Sequence, residues 1–85
     1  MDELFKSMPT IARKIAEAKI PDRWPLLVGS VIASYTTRME VKNGRLFVYI
    51  SSSVARNEVF MRRAVLKEEI NRLSGLEVIS TIIVK

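Results

Sequence analysis

The chain has neither cysteine nor histidine. Without cysteine there is no disulfide framework, no thiolate zinc site and no thiol nucleophile. Without histidine the commonest general base and metal ligand is also missing. No apolar run approaches the roughly 20 residues that a membrane-spanning helix needs. The opening MDELFKSMPT begins with acids instead of a basic stretch ahead of an apolar one, so no secretory signal is expected. Walker and dinucleotide fingerprints are absent. Ser51, Ser52 and Ser53 have no histidine to activate them and read as the end of a strand and the cap of a helix. Glu68 and Glu69 are adjacent on a helix and point about 100° apart, which does not suit joint metal binding. The expectation is a cytoplasmic, non-enzymatic protein with no metal, no cofactor, no membrane segment and no small-molecule substrate.

What remains is a basic globular domain. Eighty-five residues make a single domain near the lower limit for a self-sufficient core. A hydrophobic content of 48 % excludes a wholly disordered chain. Fourteen lysines and arginines against nine acids give a formal charge of +5, which favours an anionic partner.

The pattern along the chain predicts six main elements. Leu4, Phe5 and Met8 have helical spacing, and Pro9 either interrupts that turn or starts a new helix capped by Ser7. Ile11, Ala12, Ile15 and Ala16 form the apolar stripe of a first helix that Pro21 should end. A second helix, capped by Asp22, carries Trp24, Leu27, Val28, Val31, Ile32 and Tyr35 on one face, with Trp24 and Tyr35 expected in the core. Gly29 lies on its other side, tolerated or permitting close backbone approach. Thr37, Met39 and Val41 alternate with polar residues as in a half-buried strand. Asn43-Gly44 is a type I′ hairpin signal. The returning strand is apolar on both faces, with Leu46, Val48 and Ile50 opposite Phe47 and Tyr49, which suits a central position or one face covered by the N-terminal helices. A long third helix should run from Ser53 to Ser74, capped by Ser52 or Ser53 and stopped at Gly75, and a last strand should span Glu77–Lys85. The order α-α-β-β-α-β describes an α+β fold with a three-stranded mixed sheet and helices packed on one face.

The third helix has three faces. Ala55, Val59, Leu66, Ile70 and Leu73 fall within about 60° and form the core side. Arg56, Arg63 and Lys67 fall within about 40°, with Phe60 on the same side. Such a row can follow a phosphate backbone and stack a base, or simply be a solvated face. Val54, Met61 and Val65 make an apolar strip well away from the core side, either covered by the N-terminal helices or open as a protein interface. Leu26 poses the same question. Glu58 and Arg62 have the spacing of a surface ion pair.

One ordered set of residues resembles a known family. It comprises Trp24-Pro25-Leu26-Leu27-Val28-Gly29, Ile32-Ala33, Thr36-Thr37, Asn-Gly-x-Leu-x-Val from Asn43 to Val48, Arg56-Asn57-Glu58 after the serines, Ile70-Asn71 and Gly75 before the last strand. This is similar to the DciA family, small bacterial proteins associated with the replicative helicase, over roughly residues 20–85 and most of all to its short members. The resemblance implies a KH-like domain at 21–85 behind an N-terminal helical segment at 1–20, the whole being effectively one domain. It implies a factor that loads or regulates a DnaB-type helicase, has affinity for DNA and has no ATPase of its own. No Gly-x-x-Gly clamping loop is present, so KH-style strand binding does not carry over.

Three readings of function follow. The first is an accessory factor of DNA replication that binds the replicative helicase and single- or double-stranded DNA, with Arg56, Phe60, Arg63 and Lys67 on the nucleic acid and Val54, Met61 and Val65 on the protein. The second is a stand-alone KH-like nucleic-acid-binding module. The third is a protein-interaction or dimerisation domain, with weak homodimers formed through the same apolar strip.

Overall fold

The computed structural model describes residues 9–85. Its helices are α1 (Pro9–Val28), α2 (Ser30–Tyr35), α3 (Ser53–Met61) and α4 (Arg63–Ser74), and its strands are β1 (Thr36–Lys42), β2 (Arg45–Ile50) and β3 (Thr81–Val84). The sheet order is β1-β2-β3, with β1 antiparallel and β3 parallel to the central β2. The α+β class and the mixed sheet agree with the sequence pattern, and the order gains one helix, α-α-β-β-α-α-β. The expected opening turn of Leu4, Phe5 and Met8 and the Ser7 cap lie outside the described residues.

The hairpin forms where its turn chemistry puts it. Asn43 and Gly44 take φ of 53° and 77°, and Lys42 pairs with Arg45 across them. This register sets Met39 and Val41 opposite Val48 and Leu46, which in turn lie beside Val84 and Ile82. Together with Ile50 they make one apolar face. Ala16, Ile20, Trp24 and Val28 of α1 join it in a single buried core, as do Ala55 and Val59 of α3 and Leu66 and Ile70 of α4. Ser80 ties the hairpin tip to β3, its N–H and hydroxyl both donating to the Gly44 carbonyl, at 2.7 and 3.1 Å.

The N-terminal half departs from the sequence expectation. Pro21 does not end a helix: α1 runs through Pro21 and Pro25 to Val28. A proline inside a helix costs about 3 kcal/mol. Burial of Ile20, Trp24 and Val28 along one continuous face, at about 1.5–3 kcal/mol each, is of the size needed to offset the two prolines. The break comes instead at Gly29, with φ 92° and ψ 159°, a region essentially closed to other residues. A Cβ there would touch nothing within 4 Å, so Gly29 serves backbone conformation and not close approach. The turn changes which residues face inward. Trp24 and Val28 are buried and Leu27 and Ile32 half-buried, but Val31 and Tyr35 are exposed, Tyr35 to 44 %. Tyr35 is therefore not the core residue its spacing suggested. Ile11 and Ile15 are exposed as well, because the buried row of α1 is Ala16, Ile20, Trp24 and Val28.

The long third helix is two helices. Arg62, with φ −104° and ψ 10°, separates α3 from α4. Its guanidinium donates to the Leu27 carbonyl at 3.2 Å, so the expected Glu58–Arg62 pair does not form. Both ends match the sequence: the Ser52 hydroxyl accepts from the Ala55 N–H at 3.2 Å, and Gly75 is left-handed at φ 76°. Leu73, expected on the core face, is exposed. The final strand is shorter than its β-branched run, because Val78 and Ile79 bond to the Asn71 side chain before the ladder begins.

Candidate nucleic-acid and protein interfaces

Helices α3 and α4 carry every site residue picked out in the sequence, and the structure gives those residues different jobs. The Arg56 guanidinium reaches back to the sheet, donating to the carbonyls of Ile50 at 3.0 Å and Lys85 at 3.3 Å. It fastens the start of α3 to the ends of β2 and β3, and its charge stays at the rim of a shallow depression lined by Ser53, Asn57, Phe60 and Val84. Arg63 lies over the Phe60 ring, 3.9 Å from its centroid, while Nη1 donates to the Phe60 carbonyl at 2.8 Å. Stacking of this kind fixes the guanidinium without neutralising it. Lys67 follows one turn later on α4, 3.6 Å from Glu68. Phe60 thus links Arg56 and Arg63, with Lys67 continuing the row. Further along α4 the Arg72 guanidinium, 2.6 Å from Glu69, holds that carboxyl below the ordinary glutamate range.

The apolar strip is open. Val54, Met61 and Val65 are exposed to 80, 73 and 61 %, and Leu26 to 83 %. Met61 closes α3 and Val65 sits in the first turn of α4, so the strip crosses the joint that Arg62 anchors to α1. Among the described residues, α1 and α2 do not cover it, which leaves the open reading of the two that the sequence allowed.

A second basic and aromatic surface escaped the sequence reading. On the far face of the sheet Arg38 lies over Tyr49, 5.4 Å from the ring centroid. The alternation of Arg38, Glu40 and Lys42 with Met39 and Val41 was the available signal, but it acquires meaning only once the helices are seen to gather on the opposite face. Among the residues described, there is no group of three or more acids that could hold a metal ion, and no helix is long and apolar enough to cross a membrane.

No curated protein and no solved structure gives a significant match. Residues 1–84 match the model of the family described as Dna[CI] antecedent, DciA, so the match extends to the N-terminal side of the 20–85 span on which the sequence resemblance rested. The chain belongs to the DciA family, whose place in DNA replication is with the loading of the DnaB helicase.

Proposed function

We propose that this protein is a non-enzymatic accessory factor of bacterial DNA replication that binds the DnaB-type helicase directly and contacts DNA beside it. The observation that carries the reading is the open strip of Val54, Met61 and Val65 on a helix pair whose opposite side is core. Exposed aliphatic side chains lined along two helices joined at an anchored residue suit docking to another protein. The helicase is the partner to which family membership points. The adjoining Arg56, Arg63 and Lys67 would meet the DNA phosphates held at that helicase, with Phe60 holding the Arg63 guanidinium beside a base.

Paired variants test the two surfaces separately. Met61→Asp with Val65→Asp is expected to abolish co-sedimentation with the helicase while leaving the far-ultraviolet circular dichroism unchanged. Arg63→Glu with Lys67→Glu is expected to keep helicase binding and weaken DNA binding. Undiminished co-sedimentation of the first variant would contradict the assigned protein surface.

A further inference from the structure

The sheet has a second face that takes no part in the core. Pairing register puts Arg38, Glu40 and Lys42 of β1, Arg45, Phe47 and Tyr49 of β2, and Thr81 and Ile83 of β3 on it. Phe47, Tyr49 and Ile83 are half-buried and lie outside the core cluster, and no described helix packs on them. Glu40 is the one acid on this face among the described residues. Its carboxylate accepts from the Tyr49 hydroxyl at 3.3 Å and lies 3.4 Å from Arg38 and 4.0 Å from Lys42. Two cations therefore share one satisfied carboxylate, and the third cation of this face, Arg45, has no side-chain partner among the described residues.

We propose that this open sheet face binds single-stranded nucleic acid, with bases stacked on Phe47 and Tyr49 and phosphates met by Arg38, Lys42 and Arg45. The proposal rests on the polyanion-binding part of the function above but uses a different surface from α3 and α4. Phe47 and Tyr49 are two residues apart on the central strand, about 6.6 Å, so one base can stack on Phe47 and the next on Tyr49 once Arg38, 5.4 Å from that ring's centroid, turns to a phosphate. A duplex cannot use these rings, because its base faces already stack on one another. A second copy of the same face would set like charges against each other, and an apolar protein surface would strip water from Arg45 without replacing it. An anionic strand with flat bases satisfies both halves of the surface.

The test is fluorescence anisotropy with a labelled 12-nucleotide thymidine oligomer and a 12-base-pair duplex, on the full chain. Phe47→Ala with Tyr49→Ala should lower single-strand affinity at least about tenfold and duplex affinity less than about twofold. Because β2 is the central strand, Arg45→Glu serves as a second variant, and amide NMR shifts of the unaltered protein with the oligomer as a third reading. Shifts at Arg45, Phe47, Tyr49 and Ile83 are expected. Shifts confined to α3 and α4 with normal binding by Arg45→Glu would overturn the proposal, as would no oligomer binding by the unaltered protein. Loss of helicase binding in these variants without loss of oligomer binding would also overturn it, by making the face a protein surface. None of these results bears on helicase binding by the unaltered chain, which is measured separately.

Discussion

Asn71 stands to Ile79 as a neighbouring strand would. Its amide donates to the Ile79 carbonyl at 2.9 Å, and its oxygen accepts from the Ile79 and Val78 N–H groups at 3.0 and 2.9 Å. Val78 and Ile79 are fully buried, so these backbone groups have no water to fall back on. Arg13 of α1 secures the same segment through the Glu77 and Val78 carbonyls, at 3.2 and 3.1 Å. One side chain of α4 therefore sets where β3 begins.

Asn71→Ala leaves two buried donors and one acceptor unpaired. The expected cost is about 2–4 kcal/mol, a large part of what so small a domain possesses. Urea denaturation with a fixed slope would measure it. A change below about 0.5 kcal/mol would mean that other groups hold the segment.

Gly29→Ala gives a test by sign. Within a regular helix the change would stabilise by about 1 kcal/mol. At φ 92° and ψ 159° it should instead destabilise by about 1–3 kcal/mol, although the space for a methyl group is free. A thermal melt decides between the two.

The two arginines that sequence spacing grouped together should separate in experiment. Arg56→Glu removes the bonds to the Ile50 and Lys85 carbonyls and should cost about 1–3 kcal/mol of stability. Arg63→Glu with Lys67→Glu should be nearly neutral for folding. It should reduce the slope of log affinity for DNA against log salt by about 1–2. Denaturation curves and a salt series of oligonucleotide titrations would read both effects.

The local chemistry of turns and caps was legible in the sequence. Asn43-Gly44, Ser52 and Gly75 each satisfy a backbone requirement that few residues meet, and each sits where it was expected. The core side of Ala55, Val59, Leu66 and Ile70 was legible too, since the break at Arg62 leaves all four facing inward. Less legible was the choice between two breakers, Pro21 and Gly29. It depends on what Ile20 and Trp24 gain by staying on one continuous helix, a tertiary quantity. The phase error at Val31 and Tyr35 follows from that choice. In the site, spacing brought Phe60 and Arg63 together, but Arg56 finds its carbonyls only after β2 and β3 are side by side. The second sheet face likewise needs the parallel register of β3 and the gathering of the described helices opposite.

Calorimetric titration of the domain into the DnaB-type helicase from the same source, in nuclease-treated samples without DNA, tests the central claim most directly. Saturable binding is predicted for the unaltered protein and for Arg63→Glu with Lys67→Glu, with no binding for Met61→Asp with Val65→Asp. No heat of binding from a folded, unaltered domain that still binds an oligonucleotide would contradict the account and leave a stand-alone nucleic-acid-binding module in its place.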